Sequence, residues 1–329
     1  MYILCMSRDF ILFLLLLCTN ATAQVNWINV DTGFYPLPKN FHVYKTHDSL
    51  DGKPFVAYYA EADLKDRNLS FTVDSAYQRR LTALQFYQKN KRPLLVVNGT
   101  FFSFSSNQNL NLLINDGEIL SYNIHSYPGR GKDTFTYRHP IGSAIGITKK
   151  RKADVAWLFT DSSLKYSYAI QQSLPSKKDS SQKFDLVQAK KFIKNKSGNN
   201  TYKILSFKKW KVKTAMGGGP VLIQQGEVLI SNNEELKFAG TEINDKHPRT
   251  CMGYTKNGKL IVMVIQGRYA DAAGATLIQE AQLLRDLGCV EALNLDGGGS
   301  SCMLINGKDT IKPSDKEGQR AVPGVFIIK

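Results

Sequence analysis

The sequence is short of cysteine, histidine and acidic residues. Of its five cysteines, only Cys251, Cys289 and Cys302 lie beyond residue 23. Three thiols close at most one intrachain disulfide, which excludes a disulfide scaffold. No C-x-x-C occurs, so neither a redox pair nor a zinc ribbon is indicated, and small buried thiols are expected instead. None of the five histidines has a neighbour at metal-ligand spacing, and H-E-x-x-H is missing. No Gly-Lys pair precedes Ser or Thr, which removes a P-loop, and neither glycine cluster completes G-x-G-x-x-G. Gly298-Gly299-Ser300-Ser301-Cys302 misses the last position of G-x-S-x-G, so a nucleophile elbow is not supported. No apolar run after residue 18 is long enough for a membrane helix.

What is present is globular in composition: 43% hydrophobic and 22% charged over 329 residues, enough chain for a sizeable core. Lys and Arg number 43 against 28 Asp and Glu, a net +15. Such an excess raises nucleic acid, an anionic surface or an acidic substrate as partner. The charge is local. Residues 149–213 hold 17 Lys and Arg against 4 Asp and Glu, a +13 stretch. It contains no nucleic-acid-binding motif, so no nucleic-acid partner is expected. A solvated surface, or docking on an acidic polymer or envelope surface, fits it. Arg8, the apolar run Phe10 to Cys18 and the small residues Ala21-Thr22-Ala23 read as a cleaved signal peptide over 1–23. A periplasmic or extracellular protein is expected.

Along the chain, residues 24–92 read as N-terminal strands and a helix packing on the same domain. The helix is expected over 75–91, capped by Asp74 or Ser75, with Tyr77, Leu81, Leu84 and Gln88 on one stripe. Leu94 to Val97 follow as a buried strand. Near the end, Thr276 and Gln279 form a capping box, and Gly288 stops that helix. A strand over 290–295 then runs into Asp296. Alternating stretches over 141–148, 153–160, 202–207, 221–224, 228–230, 260–265 and 325–328 read as strands. Gln225-Gly226 and Asn257-Gly258 suit hairpin turns. The expected class is α+β, a mixed, largely antiparallel sheet with a few packed helices. A Lys-rich insertion is expected over about 170–208, with a short helix over 185–194.

Four patches carry chemistry. Asp296 precedes Gly297, Gly298, Gly299 and Ser300, where glycine amides can converge on an anion. The same residues also fit a plain tight turn. Gly217-Gly218-Gly219-Pro220 fits a bulge or a close backbone approach. His247-Pro248-Arg249-Thr250 and Gly267-Arg268 present guanidiniums that can grip phosphate with two hydrogen bonds, or make routine salt bridges. Asn98-Gly99-Thr100-Phe101-Phe102 offers an amide for a sugar hydroxyl and aromatics for a subsite or for the core. Glu280 falls inside the apolar arc of its helix, where a carboxylate must be paired or hold its proton.

The order and combination of these patches resemble the phosphodiester glycosidase family over residues 93–329. The chain departs from the family pattern at Gln266, where Asp often precedes the Gly-Arg pair. The resemblance implies hydrolysis of a sugar joined through its anomeric oxygen to a phosphodiester. It points to Asp296 as the reacting carboxylate, with Glu280 second. Asn98, Gly99, Gly218, Gly219, His247, Arg249, Thr250, Arg268, Gly297, Gly298, Gly299 and Ser300 then serve as substrate or phosphate contacts. A phosphate-linked glycan of an envelope or extracellular polymer is the expected partner. A non-catalytic module for anionic glycans and a metal-dependent phosphodiesterase are the alternatives. No cofactor is required by the residues, while an oxygen-ligand cation such as Ca²⁺ stays open without an EF-hand spacing.

Overall fold

The computed structural model describes residues 25–196 and 206–329. The expected signal segment, and positions 202–205 of one expected strand, lie outside them. Two-residue turns set much of the topology. Asp51-Gly52, Asp116-Gly117, Gln225-Gly226 and Asn306-Gly307 have positive φ at both residues. That backbone matches the twist of a tight hairpin. The first of them joins Phe41–Leu50 to Lys53–Asp63 in a long hairpin. All strand pairings among the described residues are antiparallel. The mixed component of the expected sheet is therefore absent there. The strands form sheets of eight, seven, five and three.

Alternation along each strand sorts side chains between layers. In Lys259–Ile265, Val262 and Val264 face the central core, while Ile261, Met263 and Ile265 face the opposite side. In Leu95–Asn98, Leu95 and Val97 face the central core, while Val96 points away. The eight-, seven- and five-stranded sheets thus share one core. The helix Leu277–Asp286 covers the outer face of the eight-stranded sheet. The helix Ala83–Lys89 covers that of the five-stranded sheet.

The helix Ala83–Lys89 is shorter than the stretch 75–91 read from the sequence. Residues Phe71–Ser75 are instead committed to a ladder with Gly324–Ile328. Thr82 is the cap, in a capping box with Gln85. Asp74 pairs with Lys89 at the far end of the helix. Tyr77 and Leu84 are exposed and Phe86 is the buried anchor, so the expected stripe is replaced. At the other helix, the Thr276–Gln279 capping box forms as expected, and Gly288 turns with φ +81° just beyond it. The Lys-rich insertion leaves the seven-stranded sheet at Tyr168–Ile170 and returns beside it at Lys208–Lys209. Within it, Asp185 and Gln188 exchange hydrogen bonds to start the helix Leu186–Lys196.

Two helix–strand units therefore end side by side although their strands belong to different sheets. The strand Leu95–Asn98 leads into Gly99, and Cys289–Asn294 leads into Asp296. The amide of Asp296 donates to the carbonyl of Gly99 at 2.8 Å.

Candidate active site

Asn98 is the knot at this junction. It is 1% exposed. Its Nδ2 donates to the main-chain carbonyl of Asp296, and its Oδ1 accepts from Thr250 Oγ1 at 2.9 Å and from the Cys302 amide at 3.1 Å. The side chain is spent on holding three segments together rather than facing a sugar. Gly99 packs under the end of the Met216 side chain, which a Cβ there would displace. Gly218 lies flat on the carbonyl of Asn294. The Gly219 amide donates to that carbonyl at 2.7 Å, and Asn294 Nδ2 returns a bond to the Gly219 carbonyl at 2.8 Å. All four sequence patches thus meet at the end of the strand Cys289–Asn294.

Asp296 stands at the centre of the junction. One carboxylate oxygen, Oδ2, is buried without a protein partner. Burial pushes its pKa up to about 7, against the opposing pull of the Ser300 hydroxyl, the Arg320 charge and the Gly297 amide. A carboxylate titrating near neutrality suits proton transfer or attack. The glycines after it are partly spent inside the turn. Gly298 donates its amide to the Pro248 carbonyl at 2.8 Å, and Ser300 donates to Gly297 at 3.1 Å. A Cβ at Gly297 would come within 2.9 Å of the Pro248 carbonyl, which ties the turn to the His247–Thr250 segment.

The two predicted guanidiniums separate. Arg249 is 2% exposed and donates Nε to the Ala275 carbonyl at 2.9 Å and a terminal nitrogen to the Asp245 carbonyl at 3.0 Å. Its charge faces Glu280, which is fully buried beside the Cys251 thiol. Burial raises the Glu280 pKa to about 7, opposed by the Arg249 charge and the Cys251 thiol. The three cysteines beyond residue 23 are free and buried. Arg268 is exposed, holds a left-handed backbone with φ +67°, and lays its guanidinium beside Gly298. His247, partly exposed, has its pKa lowered by burial and by the charges of Arg249 and Arg268, and its Nδ1 is buried without a partner.

Sequence reasoning missed three contributors. Arg320 forms a two-pronged pair with Asp315 at 2.7 and 2.9 Å and reaches Ser300 Oγ at 3.5 Å. Lys237 stands over the Phe101 ring at 5.4 Å. Phe238 meets Phe101 edge-on at 6.0 Å and carries the Arg249 guanidinium over its ring at 5.6 Å. Behind Lys237, buried Glu235 accepts from Ser143, Trp157, Ser231 and the Val221 amide. Lone polar residues in loops between strands give no periodic signal, so only the fold finds them. Phe102 joins the core. Gln266 Oε1 accepts from the Lys312 amide at 2.9 Å, a structural bond. Among the described residues, no three His, Cys, Asp or Glu side chains gather as a metal site.

A phosphodiester glycosidase family model matches residues 91–329. The N-acetylglucosamine-1-phosphodiester alpha-N-acetylglucosaminidase of Mus musculus is 31% identical over 102 residues, 29% of this chain and 20% of its own. An uncharacterized prophage-derived protein of Bacillus subtilis (strain 168) is 37% identical over 67 residues, 20% of this chain and 10% of its own. The chain therefore matches a fifth or less of the length of these curated relatives. Among solved structures, the zebrafish N-acetylglucosamine-1-phosphodiester alpha-N-acetylglucosaminidase catalytic domain, auto-inhibited by its pro-peptide, superposes with a TM-score of 0.58. It is 19% identical and covers 93% of this chain and 88% of that one. A hypothetical protein from Synechocystis gives a TM-score of 0.59 at 15% identity, over 92% of this chain and 63% of that one. At these identities the likeness is one of fold. Because the family model spans most of the chain, including every motif that meets at Asn98 and Asp296, this protein belongs to the phosphodiester glycosidase family.

Proposed function

We propose that the protein hydrolyses the bond between a sugar's anomeric carbon and a phosphodiester oxygen in a phosphate-linked glycan, outside the cytoplasm. The observation that carries this is Asp296: a carboxylate with pKa about 7 at the meeting point of the motifs, with guanidiniums near its turn. A phosphodiester is an anion and a good leaving group once its charge is held. In this reading Arg268 and Arg320 hold the phosphate and Asp296, ionised, activates water or attacks the anomeric carbon. Glu280 is a positioning residue that acts through Arg249. Phe101, Phe238 and Lys237 line the sugar side. When Asp296 activates water, it takes the water's proton and returns it to solvent. When it attacks the anomeric carbon, water then hydrolyses the glycosyl–Asp296 ester. In both routes the phosphate leaves as an anion and needs no strong general acid.

The test is turnover of a panel of sugar-1-phosphodiesters in ¹⁸O-labelled water, with and without a chelator. Label in the released sugar supports the reading. Label in the phosphate indicates a phosphodiesterase, and binding without turnover indicates a glycan-binding module. Export is tested separately by N-terminal sequencing of the mature protein, with Gln24 as the expected first residue.

A further inference from the structure

The outer face of the seven-stranded sheet differs from the other two large sheets. Its apolar cluster draws on no helical residue among those described. The face opens into a cleft of about 640 Å³, floored by Ile114, Ile119, Trp210 and Val212. Lys149, Lys150, Lys152, Lys165 and Lys211 ring it. Asp116 is the carboxylate in its lining, and Lys213 lies 3.7 Å from that carboxylate. Among the described residues, none of the five ringing lysines has a carboxylate within salt-bridge distance. Ser167 borders the cleft, 1% exposed, with a buried hydroxyl that lacks a hydrogen-bond partner. The pairing of Tyr168–Ile170 with Lys208–Lys209 brings Lys165 and Lys211, on either side of the insertion, to the cleft, and the turn at 149–152 supplies the other three lysines.

We propose that this cleft binds a stretch of anionic, phosphate-linked glycan remote from the bond that is cut. The identity of the ligand rests on the proposed function; the site itself does not. Unpaired lysines over a low-dielectric floor concentrate positive potential and attract a polyanion. The apolar floor suits the C–H face of a pyranose, and the ringing lysines suit its phosphates. A single-stranded nucleic acid needs exposed rings on which bases stack. The two rings in the lining are Trp210, its edge held by Nε1 donating to Asp154, and Tyr166, whose face carries Lys209 at 5.2 Å and Lys165 at 5.8 Å.

The experiment uses the full chain carrying Asp296→Asn, which keeps the probe intact. Binding of a fluorescent poly(glycosyl phosphate) is titrated against a cleft variant (K149S, K165S, K211S) and a control of equal charge change (K177S, K178S, K183S). The cleft variant is expected to bind about tenfold more weakly at low salt, and the control less than about threefold. Neutral dextran is expected not to bind. With Asp296 intact, the cleft variant should hydrolyse a small sugar-1-phosphodiester at the unmodified rate. Equal losses in both variants would overturn the site. Single-stranded DNA binding as tightly through the same lysines would overturn the ligand. Loss of polymer binding in the cleft variant, even with no turnover by any form, supports the cleft while removing the enzymatic reading.

Discussion

Asn98 and Asp296 lie 198 positions apart, and the side chain of the first donates to the main-chain carbonyl of the second. The same amide accepts from Thr250 and from the Cys302 amide. Replacing Asn98 by Ala strands three buried polar groups. Each costs on the order of 1–3 kcal/mol when left unmade. We expect Asn98→Ala to lose about 3 kcal/mol in denaturant unfolding and most of its activity. A stable, fully active variant would show that the knot is dispensable.

Asp296→Asn removes the carboxylate proposed to react but preserves its shape and the turn. Hydrolysis of a sugar-1-phosphodiester should fall by at least about 10³-fold with an unchanged thermal midpoint. For the unmodified protein, kcat/KM should rise with pH through about 7 as Asp296 ionises. A rate that falls through that range would assign Asp296 the role of acid instead.

Glu280 makes a stability prediction. Its pKa is raised from 4.5 to about 7 in the folded protein. The folded state therefore binds more protons than the unfolded one between those values. Its contribution is fully present below pH 4.5 and is lost as pH rises through about 7, a change on the order of 3 kcal/mol. Unfolding free energies of Glu280→Gln should lack that slope. An identical pH dependence in both proteins would remove Glu280 as its source.

Arg268 separates stability from function. Its left-handed backbone costs an L-residue about 1–2 kcal/mol, which glycine avoids. Arg268→Gly should leave stability equal or raise it by up to about 1 kcal/mol, while KM for the phosphodiester rises about tenfold or more. A lowered thermal midpoint would mean that the guanidinium is structural.

Gly218 lies against the carbonyl of Asn294, where a Cβ has no room. Gly218→Ala should destabilise by about 2 kcal/mol or more, because backbone rather than a flexible side chain must yield. Midpoint measurements in denaturant decide it.

Much of this was legible in the chain. The Thr276–Gln279 capping box, the Gly288 stop and the Gln225-Gly226 hairpin are local devices, and local chemistry specifies them. The motifs around Asn98, Gly218, Arg249 and Asp296 could be read because close backbone approach demands glycine and an abrupt strand end leaves a short polar turn. The first helix was misread because Phe71–Ser75 pairs with Gly324–Ile328, a partner about 250 residues away that no local pattern reveals.

The turns, the helix caps, the uneven charge and the glycine-rich contacts are local properties of the chain, since each depends on a few neighbouring residues. Which of the candidate groups lie buried and which stay exposed depends on long-range packing. Burial sent Arg249 to two main-chain carbonyls and left Arg268 exposed, though both looked alike as guanidiniums in the chain. Long-range packing also gathered the lysines of the 149–152 turn with Lys165 and Lys211, which flank the insertion, around one cleft, because antiparallel pairing joins segments that are distant in sequence.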